Sequence, residues 1–279
     1  MQSLAPILPF HFRVISLARL PAASGLGVMN EAMLYHDDAQ FKACWTSRYV
    51  DTRLKRGSCV ALRGACFHQF REGRLPVSRL DLIDKPIPTI NPFLTIPAAW
   101  FADRDTVCRA AALWEQMGRP LQHLFNAVMW DGGRFYRYVT GPVGCSDYPW
   151  EHGRNFKHSV VVAEQAATLS RGLSGISSPV LIAAALLHDA GKADDYRLSA
   201  EGYVLSERGQ WVGYQYTILE WLAVARTRVI VPDSLYLALV HALIARRHLE
   251  ARETPSIEAS VLATADRLSC DPVFDALAR

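Results

Sequence analysis

Residues 186–192 read Leu-Leu-His-Asp-Ala-Gly-Lys, placing an imidazole and a carboxylate side by side at the end of an apolar run. Positions 179–187 are apolar on every face, so a helix there is buried, and a buried carboxylate needs a partner such as a cation. His188 and Asp189 therefore point to a metal site. His158 upstream and Asp266 downstream complete a set of two nitrogens and two carboxylates, which suits Mn²⁺, Fe²⁺, Co²⁺, Ni²⁺ or Mg²⁺. An ion held this way keeps positions for water and a phosphate oxygen, acidifies the water and polarises the phosphoryl group. The expected chemistry is phosphoester hydrolysis, with Asp189 and Lys192 as the catalytic side chains. Lys192 either shares the ligand face or, if Gly191 ends the helix, begins a loop over the ion; both placements let it reach a phosphate.

The elements that must carry these groups are helical. The pattern predicts helices over 106–117, through 121–129, and near 156–171, 179–190, 213–227 and 233–247. A last one opens at Thr254-Pro255 and runs to Ser269. Asp105 is the expected cap of the first, and Gly118-Arg119-Pro120 separates it from the second. The aromatic stretch 134–138 lies between the second and third, and this half of the chain reads as all-helical.

The segment before it has a different texture. Five short strand-like runs, at 12–15, 32–35, 40–45, 59–67 and 75–80, match the count of an OB-fold, with turns at 36–39 and 71–74. Residues 84–99 hold four prolines, which block both helix interior and central strand, so a linker is expected there. The base excess is N-terminal: residues 1–100 carry 12 Lys and Arg against 7 acids, the remainder 18 against 20. Between Arg48 and Arg79 eight basic residues meet only two acids, a density suited to a polyanion, although a solvated face has the same composition. Tyr49, Phe67 and Phe70 interleave with Arg53, Lys55, Arg56, Arg63 and Arg71, which are the ingredients of single-strand binding by base stacking and phosphate pairing. Aromatic residues in strands also serve as core, and both readings stand for these rings.

The order His158, His188-Asp189, Asp266 resembles the HD superfamily of metal-dependent phosphohydrolases. Residues 57–75 resemble the closing half of nucleic-acid-binding OB domains in bacterial exonucleases, where a glycine within the long strand permits a sharp bend. A barrel followed by an HD domain, with Leu124-Phe125-Asn126 before the first ligand helix, is similar to the YhaM type of bacterial 3′-to-5′ exoribonuclease. That resemblance spans roughly residues 10–269. It implies an α+β multidomain chain, with an OB-like β-barrel over 1–88 and an all-α HD domain over 93–279. It also implies a barrel that binds single-stranded RNA or DNA and a helical domain that removes nucleotides from the 3′ end with a divalent metal. In that family a histidine usually follows the glycine where Gly213-Tyr214 stands, and a His-His pair stands at Arg246-Arg247; those histidines hold a second metal. Neither replacement suits a divalent ion, so one ion per site is expected. Arg246 and Arg247 either clamp phosphate or form a solvated helix end. His241 keeps the family position as a core histidine or a phosphate contact, and His152 is a candidate extra ligand or substrate contact.

Six scattered cysteines lack CxxC spacing, which argues against a zinc ribbon or redox pair and for reduced thiols. No uninterrupted apolar run reaches a membrane span, and the N-terminus lacks a basic segment followed by a long apolar one, so a cytoplasmic protein without membrane contact is expected. The leading expectation is a metal-dependent phosphodiesterase acting on single-stranded nucleic acid. The alternatives are a nucleotide phosphohydrolase and a nucleic-acid-binding mobile-element protein with weakened hydrolysis.

Overall fold

Alternation of apolar and polar side chains, the signature of a strand with one face on a core, is regular in two segments. A computed structural model describes residues 8–22, 25–144, 152–200, 202–245 and 256–269. In it Val28–His36 and Ala39–Ser47 pair antiparallel in register, joined by a two-residue turn at Asp37-Asp38, and bury Ala32, Leu34, Phe41, Ala43 and Trp45 on one face. These are β2 and β3. They belong to a six-stranded sheet with β1 (Phe12–Pro21), β4 (Cys59–Arg63), β5 (Arg74–Pro76) and β6 (Arg79–Leu82), in the order β5-β3-β2-β1-β4-β6. β1 carries a bulge at Ile15, and the sheet curls until β3 approaches β6, giving a half-barrel consistent with an OB-like fold.

Two expected strands differ from what forms. The fourth ends at Arg63 instead of reaching residue 67. Gly64 takes φ +60° in contact with Ser78, and the chain leaves the sheet for a single 3₁₀ turn at Phe67–Gln69. The glycine thus stops the strand rather than bending it. The fifth is split into β5 and β6, because β5 pairs parallel with β3 whereas β6 pairs antiparallel with β4. The turn at 71–74 forms, with both central residues, Glu72 and Gly73, at positive φ and reciprocal backbone bonds between Arg71 and Arg74.

Helices α1 (Arg104–Gln116) and α2 (Arg119–Met129) follow, then α3 (Gly132–Thr140), formed by the aromatic stretch that the periodicity left unassigned. The α1 cap is Asp103, whose carboxylate accepts the Thr106 N–H, and not Asp105, which lies inside the first turn and pairs with Arg109. Next come α4 (Arg154–Leu169), α5 (Ser178–Leu187) and the short α6 (Lys192–Asp195). A hairpin then interrupts the expected all-helical half: β7 (Tyr196–Ser199) and β8 (Gly202–Leu205) pair antiparallel. α7 (Glu207–Trp211), α8 (Tyr214–Arg226), α9 (Asp233–Ala245) and α10 (Ile257–Ser269) complete the described elements. The expected α10 start at Thr254-Pro255 lies outside the described residues, as do Arg246, Arg247, Cys145 and Cys270. Cys44, Cys59, Cys66 and Cys108 are free thiols. Among the described residues no helix is long and apolar enough to cross a membrane.

Buried apolar side chains form two clusters, one within the half-barrel and a larger one among the helices. The four-proline segment between them is no free linker. Ile90, Phe93 and Ile96 are fully buried in it, and the Asn126 amide donates to the carbonyls of Ile87 and Ile90, both at 2.8 Å. Arg13 of β1 is buried against this strap: Nε donates to Thr95 Oγ1, a guanidinium NH₂ to the Gly57 carbonyl, and its plane lies 4.6 Å from the Phe135 ring centroid. Gly57 and Gly132 touch backbone to backbone across the same junction, and a Cβ on Gly57 would lie 2.8 Å from the Gly132 carbonyl carbon. A Cβ on Gly132 would overlap the Gly57 carbonyl. Gly132→Ala is expected to destabilise the protein by about 1–3 kcal/mol, the cost of overpacking an unyielding contact. Thermal unfolding checks this, and an unchanged midpoint would mean that the half-barrel and the helices separate freely.

Candidate metal centre

α4 and α5 bring the first three expected ligands to one place. Gly153 precedes α4 at φ +80°, with Phe101 and the Val139 carbonyl where a side chain would go. Phe156 then anchors the helix start against Phe93, Phe101 and Tyr138, which aims His158 inward two residues later. α5 is buried along its length from Val180 to Leu187, as its uniformly apolar sequence requires. Past Leu187 the backbone tightens into i→i+3 bonds, including Lys192 N–H to the Asp189 carbonyl, so the helix closes in a coil carrying His188, Asp189 and Lys192. Tyr138 Oη donates to the Leu186 carbonyl at 2.8 Å, and the Asn155 amide adds a second donor to the Asp189 carbonyl at 3.2 Å. α10 packs on α4 and supplies Asp266.

The acceptor atoms converge. His158 Nε2 lies 3.0 Å from Asp266 Oδ1 and 3.8 Å from Asp189 Oδ2. His188 Nε2 lies 3.5 Å from each of the same two oxygens. One atom from each of His158, His188 and Asp266 falls within 4.8 Å of the other two, and Asp189 reaches both imidazoles.

Neighbouring groups decide which ring nitrogens carry hydrogen. His188 Nδ1 is 2.6 Å from the Ala185 carbonyl, which only accepts, so Nδ1 is protonated and the Nε2 lone pair faces the cluster. The Ser269 hydroxyl donates to the Asp266 carbonyl at 2.7 Å, so at 3.2 Å it accepts from His158 Nδ1, which leaves Nε2, hydrogen-bonded to Asp266 Oδ1 at 3.0 Å, as the nitrogen that would bind an ion. His188 Nε2 and Asp189 Oδ1 are buried without a hydrogen-bond partner among the described residues. Burial works to raise the Asp189 carboxyl, but positive charge on its neighbours, the His188 imidazole when protonated, the Lys192 ammonium at 2.6 Å and His158 when protonated, outweighs it and holds the group down at about 2. An orphaned buried imidazole nitrogen, His188 Nε2, among converging nitrogen and carboxylate groups, with a second orphaned acceptor in Asp189 Oδ1 of the same carboxylate, is what a divalent cation with mixed nitrogen and oxygen ligands would satisfy, so the residues present fit such an ion.

Residues 155–271 match the family model of the HD domain. The C-terminal helical region thus carries an HD domain, a family of metal-dependent phosphohydrolases that bind divalent metals, and the match supports an HD-domain phosphohydrolase. Neither the curated proteins nor the solved structures yielded a match to the chain.

Other expected site residues lie elsewhere. His241 Nε2 accepts the Ser256 N–H at 3.1 Å just before α10, where it satisfies the backbone. His152 is exposed, and its Nδ1 is 3.4 Å from Tyr203 Oη beside the β7–β8 hairpin. On the half-barrel, Arg53 is paired with Asp51 and Arg63 with Asp81. The Arg56 guanidinium lies 4.7 Å from the Tyr136 ring centroid of α3, spanning the junction, while Lys55 is exposed. Phe67 and Arg71 are exposed, with Arg71 donating to the Phe70 carbonyl.

Sequence reasoning missed Ser269 and the Ala185 carbonyl, which set the imidazole tautomers. Both sit three residues from a ligand on the same helical turn, a spacing that could have flagged them. Ser269→Ala is expected to weaken Mn²⁺ binding by about 10-fold or more, the usual cost of losing a group that orients a metal-ligating histidine, and His188→Ala to remove it. Titration calorimetry with Mn²⁺ decides; undiminished affinity in His188→Ala would remove His188 from the ligand set.

Proposed function

We propose that this protein is a metal-dependent phosphodiesterase that shortens single-stranded nucleic acid from the 3′ end, with the half-barrel guiding the strand. The observation that carries the hydrolase reading is the convergence of His158, His188, Asp189 and Asp266 beside the buried Lys192 ammonium. A divalent ion held by those four residues supplies an acidified water and a Lewis acid for a phosphoryl oxygen. The chain's own groups do the rest. His188 and His158 present Nε2 because Ala185 and Ser269 hold their Nδ1 hydrogens. Asp189 stays ionised, Lys192 offers its remaining N–H bonds to the phosphate, and the apolar α5 excludes bulk water behind the site.

Support for a nucleic-acid substrate comes from the other half. Phe67, Phe70 and Arg71 are exposed on the loop between β4 and β5, Arg74 is exposed at the start of β5, and Tyr49 is 84% exposed just after β3. Large aromatic rings left in solvent beside guanidinium groups suit stacked bases and phosphates better than they suit a core. A strand labelled at its 5′ end should therefore shorten stepwise with Mn²⁺ and stay intact with a chelator. Hydrolysis confined to mononucleotides would reject the exonuclease reading while keeping the hydrolase.

Two substitutions separate the halves. Asp189→Ala is expected to abolish metal-dependent hydrolysis while leaving single-strand affinity, followed by fluorescence anisotropy, largely intact; retained hydrolysis would remove the assigned site. Arg71→Glu is expected to weaken strand binding and flatten the log–log salt dependence by about 0.7, the slope of one phosphate contact on a single strand. An unchanged slope would leave this loop without a phosphate contact.

A further inference from the structure

The turn that follows His188-Asp189 grips one residue of another helix at three points. The α-carbon of Gly191 abuts the Tyr214 carbonyl so closely that any side chain there would overlap it. The Lys192 ammonium lies 5.0 Å from the Tyr214 ring centroid. Asp195, buried at the end of α6, accepts the Tyr214 N–H with its carboxyl group. Tyr214 opens α8, and Gly213 before it offers no side chain to cap that helix, so the Asp195 contact fixes where the ring stands.

Lys192 is itself buried, and a buried ammonium persists only where its charge is met. Asp189 Oδ2 meets it at 2.6 Å on one side and the π-face of Tyr214 on another. A ring attracts a cation without consuming an N–H bond, so the ammonium keeps donors that a second carboxylate would have taken. The flexible stem of a lysine would otherwise sample many positions.

We propose that Tyr214 is a positioning residue whose ring holds the Lys192 ammonium beside the metal ligands, so that Lys192 meets a substrate phosphate as a second positive charge next to a single metal ion. This rests on the phosphohydrolase reading of the site. The Tyr214 ring is turned to the Lys192 ammonium. Its role is electrostatic and acts through that lysine.

The test measures Mn²⁺ binding, and then inorganic phosphate binding to the Mn²⁺-loaded full chain, by calorimetry. The proteins are wild type, Tyr214→Phe, Tyr214→Leu, Lys192→Met and the Lys192→Met/Tyr214→Leu double variant. One Mn²⁺ per chain is expected in all five. Tyr214→Phe, which keeps the ring, should bind phosphate as wild type does, and Tyr214→Leu should bind it about tenfold more weakly. In the Lys192→Met background Tyr214→Leu should cost nothing further, because its target is gone. A purely structural role would persist in that background, so additive losses overturn the proposal. Lower Mn²⁺ affinity in Tyr214→Phe, or two Mn²⁺ per wild-type chain, overturns it as well. Absence of phosphate binding to the loaded wild type overturns the phosphohydrolase reading and this assignment together, whereas phosphate binding that Tyr214→Leu leaves unchanged overturns only the assignment. Should the leucine variant fail to fold, the wild-type protein still decides. The Lys192 ε-methylene resonance, identified by its loss in Lys192→Met, must be shifted upfield by the ring, and an unshifted resonance refutes the contact.

Discussion

Four electron-rich atoms brought within a few ångströms of one another repel unless a cation stands among them. Ligand atoms of His158, His188 and Asp266 lie within 4.8 Å of one another, with Asp189 Oδ2 at 3.8 and 3.5 Å from the two imidazoles, and much of the helical region serves to hold them there. The imidazoles cannot relieve the strain by turning, because each has its Nδ1 hydrogen committed, one to the Ala185 carbonyl and one to the Ser269 hydroxyl. The carboxylate of Asp189 cannot relieve it by taking up a proton near neutrality, since positive charge on its neighbours holds it near the bottom of the carboxylate range despite burial. What remains is a demand for positive charge, met in part by Lys192, and a divalent ion would meet the rest.

That demand explains features that propensity alone would not select. A helix as uniformly apolar as α5 is needed because its end must be rigid and dry, and Tyr138 and Asn155 from neighbouring helices donate to the Leu186 and Asp189 carbonyls there. The tightened turn from Leu187 to Lys192 brings the Lys192 ammonium to 2.6 Å from Asp189 Oδ2, beside His188. The turn is secured in its place by close contact with α8, where Gly191 meets the Tyr214 backbone.

The half-barrel joins the helices through buried polar contacts as well as through apolar packing. Arg13, the Gly57–Gly132 approach and the proline strap each remove freedom at the junction, so a strand held on the half-barrel would keep one register relative to the helical domain. Arg56, read from sequence as a phosphate contact, spends its guanidinium face on Tyr136 at this junction. The residues left exposed on the half-barrel, Phe67, Phe70 and Arg71 among them, stand on the loop after β4, where the strand ended earlier than its apolar pattern implied.

Read alone, the chain already disclosed the types and order of the residues that converge at the candidate metal centre, the buried character of α5, most helix cores and the β2–β3 hairpin. Each of these is written in local periodicity or in residue chemistry, which neighbours along the chain express without help. The α3 helix, the β7–β8 hairpin, the split of the last barrel strand and the packing of the proline strap were not legible, because each is selected by what it packs against. The coming together of His158 and Asp266, 108 positions apart, likewise belongs to the tertiary structure, as do the His158 tautomer set by Ser269 and the seat of Lys192 on Tyr214. Distances of 3–5 Å between groups so far apart in sequence follow from how helices interdigitate, and no local pattern of residues carries that information.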